Sequence, residues 1–360
     1  MSIDIAMVGD FGKDLDDENA LLYAVGAQRS GEAELVAVVA NLDPVENRAR
    51  LAQGMLRVLG VQMEVGMGTD CNQIDHTQPY ETDVPYLAIG YQFRDGMDVL
   101  GEALESSPDY GLSLVLNSGL TDAARLFEAE PYLARRKLAQ VAIMGGVATD
   151  GEAILLNEYG RMIPDSAANN LFDPAASTFA YDWLQANQVP LSVLTREAAY
   201  ACKFEFAFYE QLAATGNPVG QAMYEREAAR EHNIGEAIRN RQEPALNELW
   251  RVANLPVGTP ERGALPDRCD RAWFVQTYLN GADPGEVQEI WPLALDVGTF
   301  QLYDSLNVAS VVRPDLFDPA YVTVHDTTHR IIGVSARRYG IRDVAALRDH
   351  VASRELTALG

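Results

Sequence analysis

Five carboxylic acids crowd one short stretch near the N-terminus. The run Gly9-Asp10-Phe11-Gly12-Lys13-Asp14-Leu15-Asp16-Asp17-Glu18 places Asp10, Asp14, Asp16, Asp17 and Glu18 within nine residues. One Asp can cap a helix start, and acids in a first turn gain from the helix dipole; that accounts for two of the five. Gathering the others costs about 1 kcal/mol or more per close pair even with good screening. A hard cation removes that cost, because Ca2+ takes about six to eight oxygens in flexible geometry, bidentate carboxylates and backbone carbonyls included. Two readings stand side by side, a capped helix start and a metal site. Other acidic chemistries fit less well. An EF-hand loop needs Gly at its sixth position and Glu at its twelfth; counted from Asp10 these are Leu15 and Leu21. A phosphatase-type nucleophile has a second Asp two residues on, where Gly12 stands, and GxSxG, HExxH, Walker A and GxGxxG are absent.

Such residues need a scaffold, and the first 200 positions alternate strand-like and helix-like segments. Apolar runs at Ile3 to Val8, Glu34 to Ala40, Met63 to Val65, Leu112 to Leu116, Val141 to Met144 and Pro190 to Leu194 read as strands. Between them, Ala20 to Ala27, Glu46 to Leu59, Thr121 to Glu128 and Ala175 to Asn187 read as helices. This alternation predicts an α/β fold, a Rossmann-like, doubly wound and mostly parallel sheet with right-handed crossovers. In such sheets the site lies at the carboxyl ends of strands, so the loops opening at Gly9, Asn41, Asn117 and Gly145 are the ones to inspect. Residues 200–285 are rich in Glu, Arg and Ala and read as a helical insertion or cap within a single domain spanning residues 1–360. Beyond them, Tyr321 to Val324 and Arg330 to Val334 read as a hairpin.

Charge bounds the partners. Fifty-two acids against 28 Lys plus Arg give −24, which opposes a phosphate-tracking role and predicts no nucleic-acid partner. No apolar stretch approaches the roughly 20 residues of a membrane span, and no basic leader precedes an apolar run. Cys71, Cys202 and Cys269 are odd in number and scattered, as expected in a reducing cytoplasm and not in a disulfide framework.

The acidic loop resembles the signature of the inosine–uridine-preferring nucleoside hydrolase family, in the variant form TDxGxDxDDAxAL. Further segments follow in the family's order. Val38-Val39-Ala40-Asn41 resembles its strand ending in Asn, and Leu116-Asn117-Ser118-Gly119-Leu120-Thr121-Asp122 its GPLTN segment. Val141 to Gly146 resembles its MGG strand, Asn169 to Ala176 its EFNxxxDPEAA segment, and Tyr303-Asp304-Ser305-Leu306 its HDP segment. The resemblance spans residues 3 to 310. It implies Ca2+-dependent hydrolysis of the N-glycosidic bond of a ribonucleoside or related small-molecule N-riboside, in a homo-oligomer, dimer or tetramer. It assigns Asp10 as metal-bound general base, Asp17 as bidentate metal ligand, Asp304 as the late-loop ligand and Thr121 as a ligand through its backbone carbonyl. Asp16 then bonds a ribose hydroxyl, Asn41 supports the base, and Asn169 holds the ribose side. Asp14 falls in the variant's two-residue extension, with no role carried over.

Two positions depart from the family pattern. The ribose-binding Glu falls at Ala167, with Asp165 or Asn170 as replacements, and the His before the late Asp is Tyr303. With a reference pKa of about 10, a Tyr is a poor proton donor to a leaving base and is better suited to stacking or hydrogen bonding. A Tyr there, with the extended acidic loop, also occurs in nucleoside hydrolase-like effectors of plant-pathogenic bacteria. The alternative function is therefore a catalytically weak protein of the same fold that recognises a nucleotide or ADP-ribose-like ligand; a third is an assembly protein with a metal for stability alone. Retention of Asp10 favours catalysis.

Plainer roles compete with each assignment. Tyr303 can be a core aromatic, Thr121 a helix cap with Asp122, Asn41 a turn former with Asp43-Pro44, and Asn169 and Asn170 loop caps. Gly145-Gly146 suits close backbone packing. His325 and His329 read as surface residues, His232 or Arg230 as candidate contacts to a base or phosphate, and Trp183, Trp250, Trp273 and Trp291 as core.

Overall fold

The computed structural model describes residues 3–12, 15–71, 84–150, 153–239, 299–334 and 338–360. Asp14, His76, Trp250, Cys269, Trp273 and Trp291 lie outside them, as do the side chains of Arg230 and His232. Among the described residues the strands are β1 (Ile3–Gly9), β2 (Ala33–Ala40), β3 (Val65–Met67), β4 (Arg94–Asp95), β5 (Leu112–Leu116), β6 (Leu138–Gly145), β7 (Thr149–Asp150), β8 (Ala153–Ile154), β9 (Leu191–Thr195), β10 (Lys203–Glu205), β11 (Thr299–Gln301), β12 (Ala320–Val324) and β13 (Thr327–Ile332). The helices are α1 (Asp16–Arg29), α2 (Val45–Val58), α3 (Gly96–Ser106), α4 (Thr121–Ala129), α5 (Pro131–Lys137), α6 (Ala168–Phe172), α7 (Pro174–Ala186), α8 (Arg196–Ala201), α9 (Ala207–Ala214), α10 (Pro218–Arg239), α11 (Tyr303–Val312) and α12 (Val344–Leu359).

Nine strands form the main sheet in the order β12-β13-β9-β6-β5-β1-β2-β3-β4. All neighbours run parallel except the β12–β13 hairpin. Every residue of β5 and β9 is buried, as strands covered by helices on both faces require. The fold is thus the expected doubly wound α/β sheet. From β1 the chain builds outward through β2, β3 and β4, then returns to the opposite flank of β1 with β5, β6 and β9. The order reverses beside β1, and the crevice outside the carboxyl ends at such a reversal is where these sheets bind ligands.

Contacts divide the chain into two compact units, Met1–Ala201 with Leu302–Gly360, and Cys202–Gln301. The first holds the main sheet; Phe127 and Trp183 stack in it at 4.4 Å. The second pairs β10 antiparallel to β11 and clusters Phe204, Phe208, Tyr209 and Phe300.

Three features differ from the sequence pattern. The strand expected at Met63 to Val65 is β3, two residues later, because Val65 pairs with Val38. Neither α3 nor α12 is announced by the pattern. His329 is a correction: it is buried, not on the surface, and its Nδ1 accepts the Leu191 N–H at 3.1 Å. Burial pushes its imidazole down to about 4, so it is neutral there.

Packing behind the acidic loop fixes the start of α1. Residues Asp17 through Ala27 of this helix are all buried, so it cannot be moved without disturbing the core. A Cβ on Gly26 would collide with the Arg354 carbonyl of α12; glycine permits that close approach. Arg354 also pairs with Glu32 at 2.6 Å. Deeper in, the fully buried Glu355 of α12 accepts from Asn19 Nδ2 of α1 at 2.5 Å and from Ser305 Oγ of α11 at 2.9 Å. Burial pushes its carboxyl up to about 8, opposed by those two hydrogen bonds.

A pH dependence follows. The unfolded chain releases this proton near 4.5 and the folded chain near 8. Between these values the folded state holds more protons, so stability falls as pH rises, at up to about 1.4 kcal/mol per pH unit. Denaturant unfolding from pH 6.5 to pH 8, above the range in which buried His329 adds a slope of the opposite sign, should show this fall in the wild type and a flatter profile in Glu355→Gln. Parallel profiles would show that Glu355 does not carry the effect.

Candidate metal and ribose site

The carboxyl end of β1 and the starts of α1 and α11 meet in one acidic group. Asp16 and Asp17 open α1, and Asp304 is the second residue of α11. One oxygen of each lies within 4.8 Å of the others. Asp17 and Asp304 are buried and Asp16 is half-buried. Asp17 reaches this position by folding back over β1: its Oδ2 accepts the Asp10 N–H at 3.0 Å, and a Cβ on Gly9 would strike its carboxylate. Asp16 Oδ1 in turn accepts the Asp17 N–H at 3.1 Å. Both helices point their N-termini at the carboxylates, which favours negative charge there. Three carboxylates this close, two of them shielded from water, form a hard-oxygen donor set suited to a divalent cation, so the residues present fit a metal.

Asp10 stands beside this group. It is largely buried, and its Oδ2 lies 3.7 Å from Nη1 of Arg48. Arg48 of α2 also donates to the Asp10 carbonyl, to the Phe11 carbonyl at 3.1 Å and to the Asp43 carbonyl at 3.1 Å.

The neighbouring loops are pinned by amides and acids. Asn41 Nδ2 donates to Asp122 Oδ2 at 2.8 Å and to the Gly119 carbonyl at 3.0 Å. Thr69 donates to the same Asp122 through its N–H at 3.0 Å and its hydroxyl at 2.9 Å. Burial pushes the Asp122 carboxyl up, against these hydrogen bonds. Thr121 is the first residue of α4, and its hydroxyl donates to Asp173 Oδ2 at 2.8 Å. Asn169 Nδ2 donates to the Asn117 and Met144 carbonyls at 2.8 and 3.0 Å. Asn170 Nδ2 donates to the Gly146 carbonyl and to Asp165 Oδ1, both at 3.1 Å. Tyr303 opens α11, half-buried, next to Asp304.

The plainer roles fare as follows. Asn41 bonds Asp122 instead of turning the chain with Asp43, whose carbonyl goes to Arg48. Leu120, not Thr121, occupies the N-cap of α4. Asn169 and Asn170 bond strand-end carbonyls. Asp165 is committed: Oδ1 accepts the Ala167 N–H at 2.8 Å as well as Asn170, and Oδ2 pairs with Arg196 at 3.1 Å. Sequence reasoning missed Arg48, Thr69, Arg196 and Glu355, and took Asp122 for a cap. No spacing rule marks them, because each acts across the fold.

Comparisons with known proteins show the family and the fold. The family model described as inosine-uridine preferring nucleoside hydrolase matches residues 5–345, and the chain belongs to that family, which uses a metal ion. Among solved structures, the chain is similar to the type III effector protein XopQ complexed with adenosine diphosphate ribose, at 28% identity and a TM-score of 0.74, covering 100% of this chain and 95% of that one. It is similar to the effector protein XOO4466 at 26% identity and a TM-score of 0.70, with the same coverage of 100% and 95%. It shares its fold with the purine-preferring ribonucleoside hydrolase from Gardnerella vaginalis, at 16% identity and a TM-score of 0.58, covering 99% of this chain and 100% of that one. No curated protein matches. No helix among the described residues is long and apolar enough to cross a membrane.

If the acidic group holds a cation, Asp304→Asn relieves repulsion in the metal-free state and weakens the metal-bound one. In chelator the variant should melt no lower than the wild type, and it should need at least about tenfold more Ca2+ for the same gain in Tm. Scanning calorimetry across a Ca2+ series checks both.

Proposed function

We propose that this chain hydrolyses the N-glycosidic bond of a ribonucleoside or a related N-riboside, with Asp10 as general base and Asp17 and Asp304 holding Ca2+. The observation that carries the reading is the convergence of Asp16, Asp17 and Asp304 from distant parts of the chain, beside Asp10, in a member of this family. Bound Ca2+ would supply a Lewis acid that gathers the ribose hydroxyls and lowers the pKa of water; Asp17, Asp304 and the Thr121 carbonyl would hold it. Asp16 accepts a hydrogen bond from a ribose hydroxyl, Asn41 steadies the Asp10 side of the site, and Asn169 and Asn170 line the far side of the sugar. Asp10 accepts a proton from the attacking water. The water oxygen bonds to the anomeric carbon, the C–N bond breaks, and its electron pair leaves with the nitrogen. Positive charge developing on the sugar is met by the surrounding carboxylates, as in the two-carboxylate logic of glycosidases.

A second reading has its own support. XopQ, 28% identical, was captured with adenosine diphosphate ribose, and this chain has Ala167 and Tyr303 where the family pattern has a ribose-binding Glu and a His. On this reading the site binds a nucleotide or ADP-ribose-like ligand with little turnover.

A helical insertion over residues 200–285 within one nucleoside hydrolase-like domain belongs to this reading; the inserted position of Cys202–Gln301 supports it, α9 and α10 are its described helices, and residues 240–298 lie outside the described residues. The reducing cytoplasm suits Cys71, a free and buried thiol.

Asp10→Asn separates the two readings. Under hydrolysis it keeps the fold and most ligand affinity but lowers ribose release by about a hundredfold or more, measured on nucleosides, nucleotides and ADP-ribose with Ca2+ present. Full activity in the variant would remove Asp10 as base; binding without release in the wild type would favour the second reading.

A further inference from the structure

Arg48 is the largest fully buried side chain among the described residues. An arginine is never neutral in a protein, and burying its charge is costly unless that charge is met. Several of its hydrogen bonds are to main-chain oxygens: the carbonyls of Asp10 and Phe11 in the loop after β1, and the Asp43 carbonyl in the loop after β2, reached by Nη2 at 3.1 Å and Nε at 3.4 Å. A neutral amide can also donate to a carbonyl, so these bonds alone do not call for a charge. The carboxylate of Asp10, 3.7 Å from Nη1, does. Arg48 is 1% exposed, so it stands behind Asp10 and does not meet a ligand itself.

Two effects combine in this geometry. The clamp on the Asp10 and Phe11 carbonyls fixes the backbone from which the Asp10 side chain departs. The guanidinium also draws the carboxylate toward α2, and Asp10 is not one of the three acids whose oxygens lie within 4.8 Å of one another. The same positive charge lowers the negative potential felt at Asp16, Asp17 and Asp304, with little screening because it is buried.

We propose that Arg48 is a positioning residue for Asp10: it aims the carboxylate from beneath and tempers the charge of the site, so that metal affinity is exchanged for a correctly placed base. This rests on the reading of Asp10 as the base and of the acidic group as a metal site.

The test compares wild type, Arg48→Gln and Arg48→Lys. Gln keeps an N–H donor and loses the charge; Lys keeps the charge and loses the planar fork. Calorimetric titration with CaCl2 reads metal affinity, ribose release reads kcat and KM separately, and melting in chelator confirms that each variant is folded. Arg48→Gln should bind Ca2+ at least about tenfold more tightly, while kcat falls at least about a hundredfold with KM changed less than about threefold. Arg48→Lys should hold Ca2+ affinity within about threefold of wild type with an intermediate kcat. A merely structural arginine gives the opposite sign, with metal binding weakened along with stability; unchanged or weaker binding in Arg48→Gln overturns the proposal. If Arg48→Gln does not fold, Arg48→Lys decides, and a large shift in its Ca2+ affinity or an unchanged kcat overturns it. A wild type that binds Ca2+ but releases no ribose defeats the hydrolase reading and leaves the Ca2+ titrations to decide this one. A wild type that takes up no Ca2+ defeats both.

Discussion

Three like charges held within a few ångströms set the terms for the rest of this molecule. Asp16, Asp17 and Asp304 repel one another, and each stands in the first turn of its helix. The buried length of α1 holds that turn in place. Gly26 lets α12 lie directly against α1, and Glu355 ties α1 to α11 through Asn19 and Ser305. The tie sits one residue from Asp304 and two from Asp17, on the far side of both helix starts. Its raised pKa matters here, because at neutral pH the carboxyl is mostly protonated and adds little charge behind the three acids. The repulsion at the crevice is thus opposed by packing and hydrogen bonds well behind it.

The rim of the crevice solves a separate problem. Where parallel strands end, their last carbonyls lack partners in the ladder. Asparagine amides supply several of them. Asn169 takes the Asn117 and Met144 carbonyls, Asn170 the Gly146 carbonyl, and Asn307 the Leu116 carbonyl at 3.3 Å. With the Nδ2 groups facing the scaffold, the carbonyl oxygens of Asn41 and Asn170 are buried acceptors with no partner among the described residues. Such atoms cost free energy unless something donates to them.

How much of this was legible in the sequence depends on how local each feature is. The strands near the site were legible because fully buried strands read as unbroken apolar runs, as Leu112 to Leu116 does. The acidic loop was legible because five acids in nine residues exceed what capping can use. Asp304 stood out only through the family pattern, since nothing local ties a residue of α11 to α1. Arg48, Thr69 and Glu355 were not legible, because their importance lies in partners brought near by folding. His329 was misread for the same reason. Its polar ring suggested surface, but pairing of β13 with β9 places it where Leu191 needs an acceptor.

The departures from the family pattern can be weighed against this geometry. Of the two candidates to replace the missing ribose-binding Glu, Asp165 is engaged on both oxygens by Ala167, Asn170 and Arg196. Recruiting it to a sugar would unpair a largely buried guanidinium, which is costly. Asn170 is different: its amide is occupied, but its carbonyl oxygen is not. An uncharged acceptor in place of a carboxylate still recognises a hydroxyl, yet gives less stabilisation to a sugar that gains positive charge in the transition state. On the hydrolase reading proposed above, Ala167 would weaken the chemical step more than ground-state binding. Tyr303, as a poor acid, would weaken departure of the nitrogen base in the same direction. On that reading both changes would select for a ligand whose affinity comes from contacts beyond the ribose, or for a leaving group that departs without a proton.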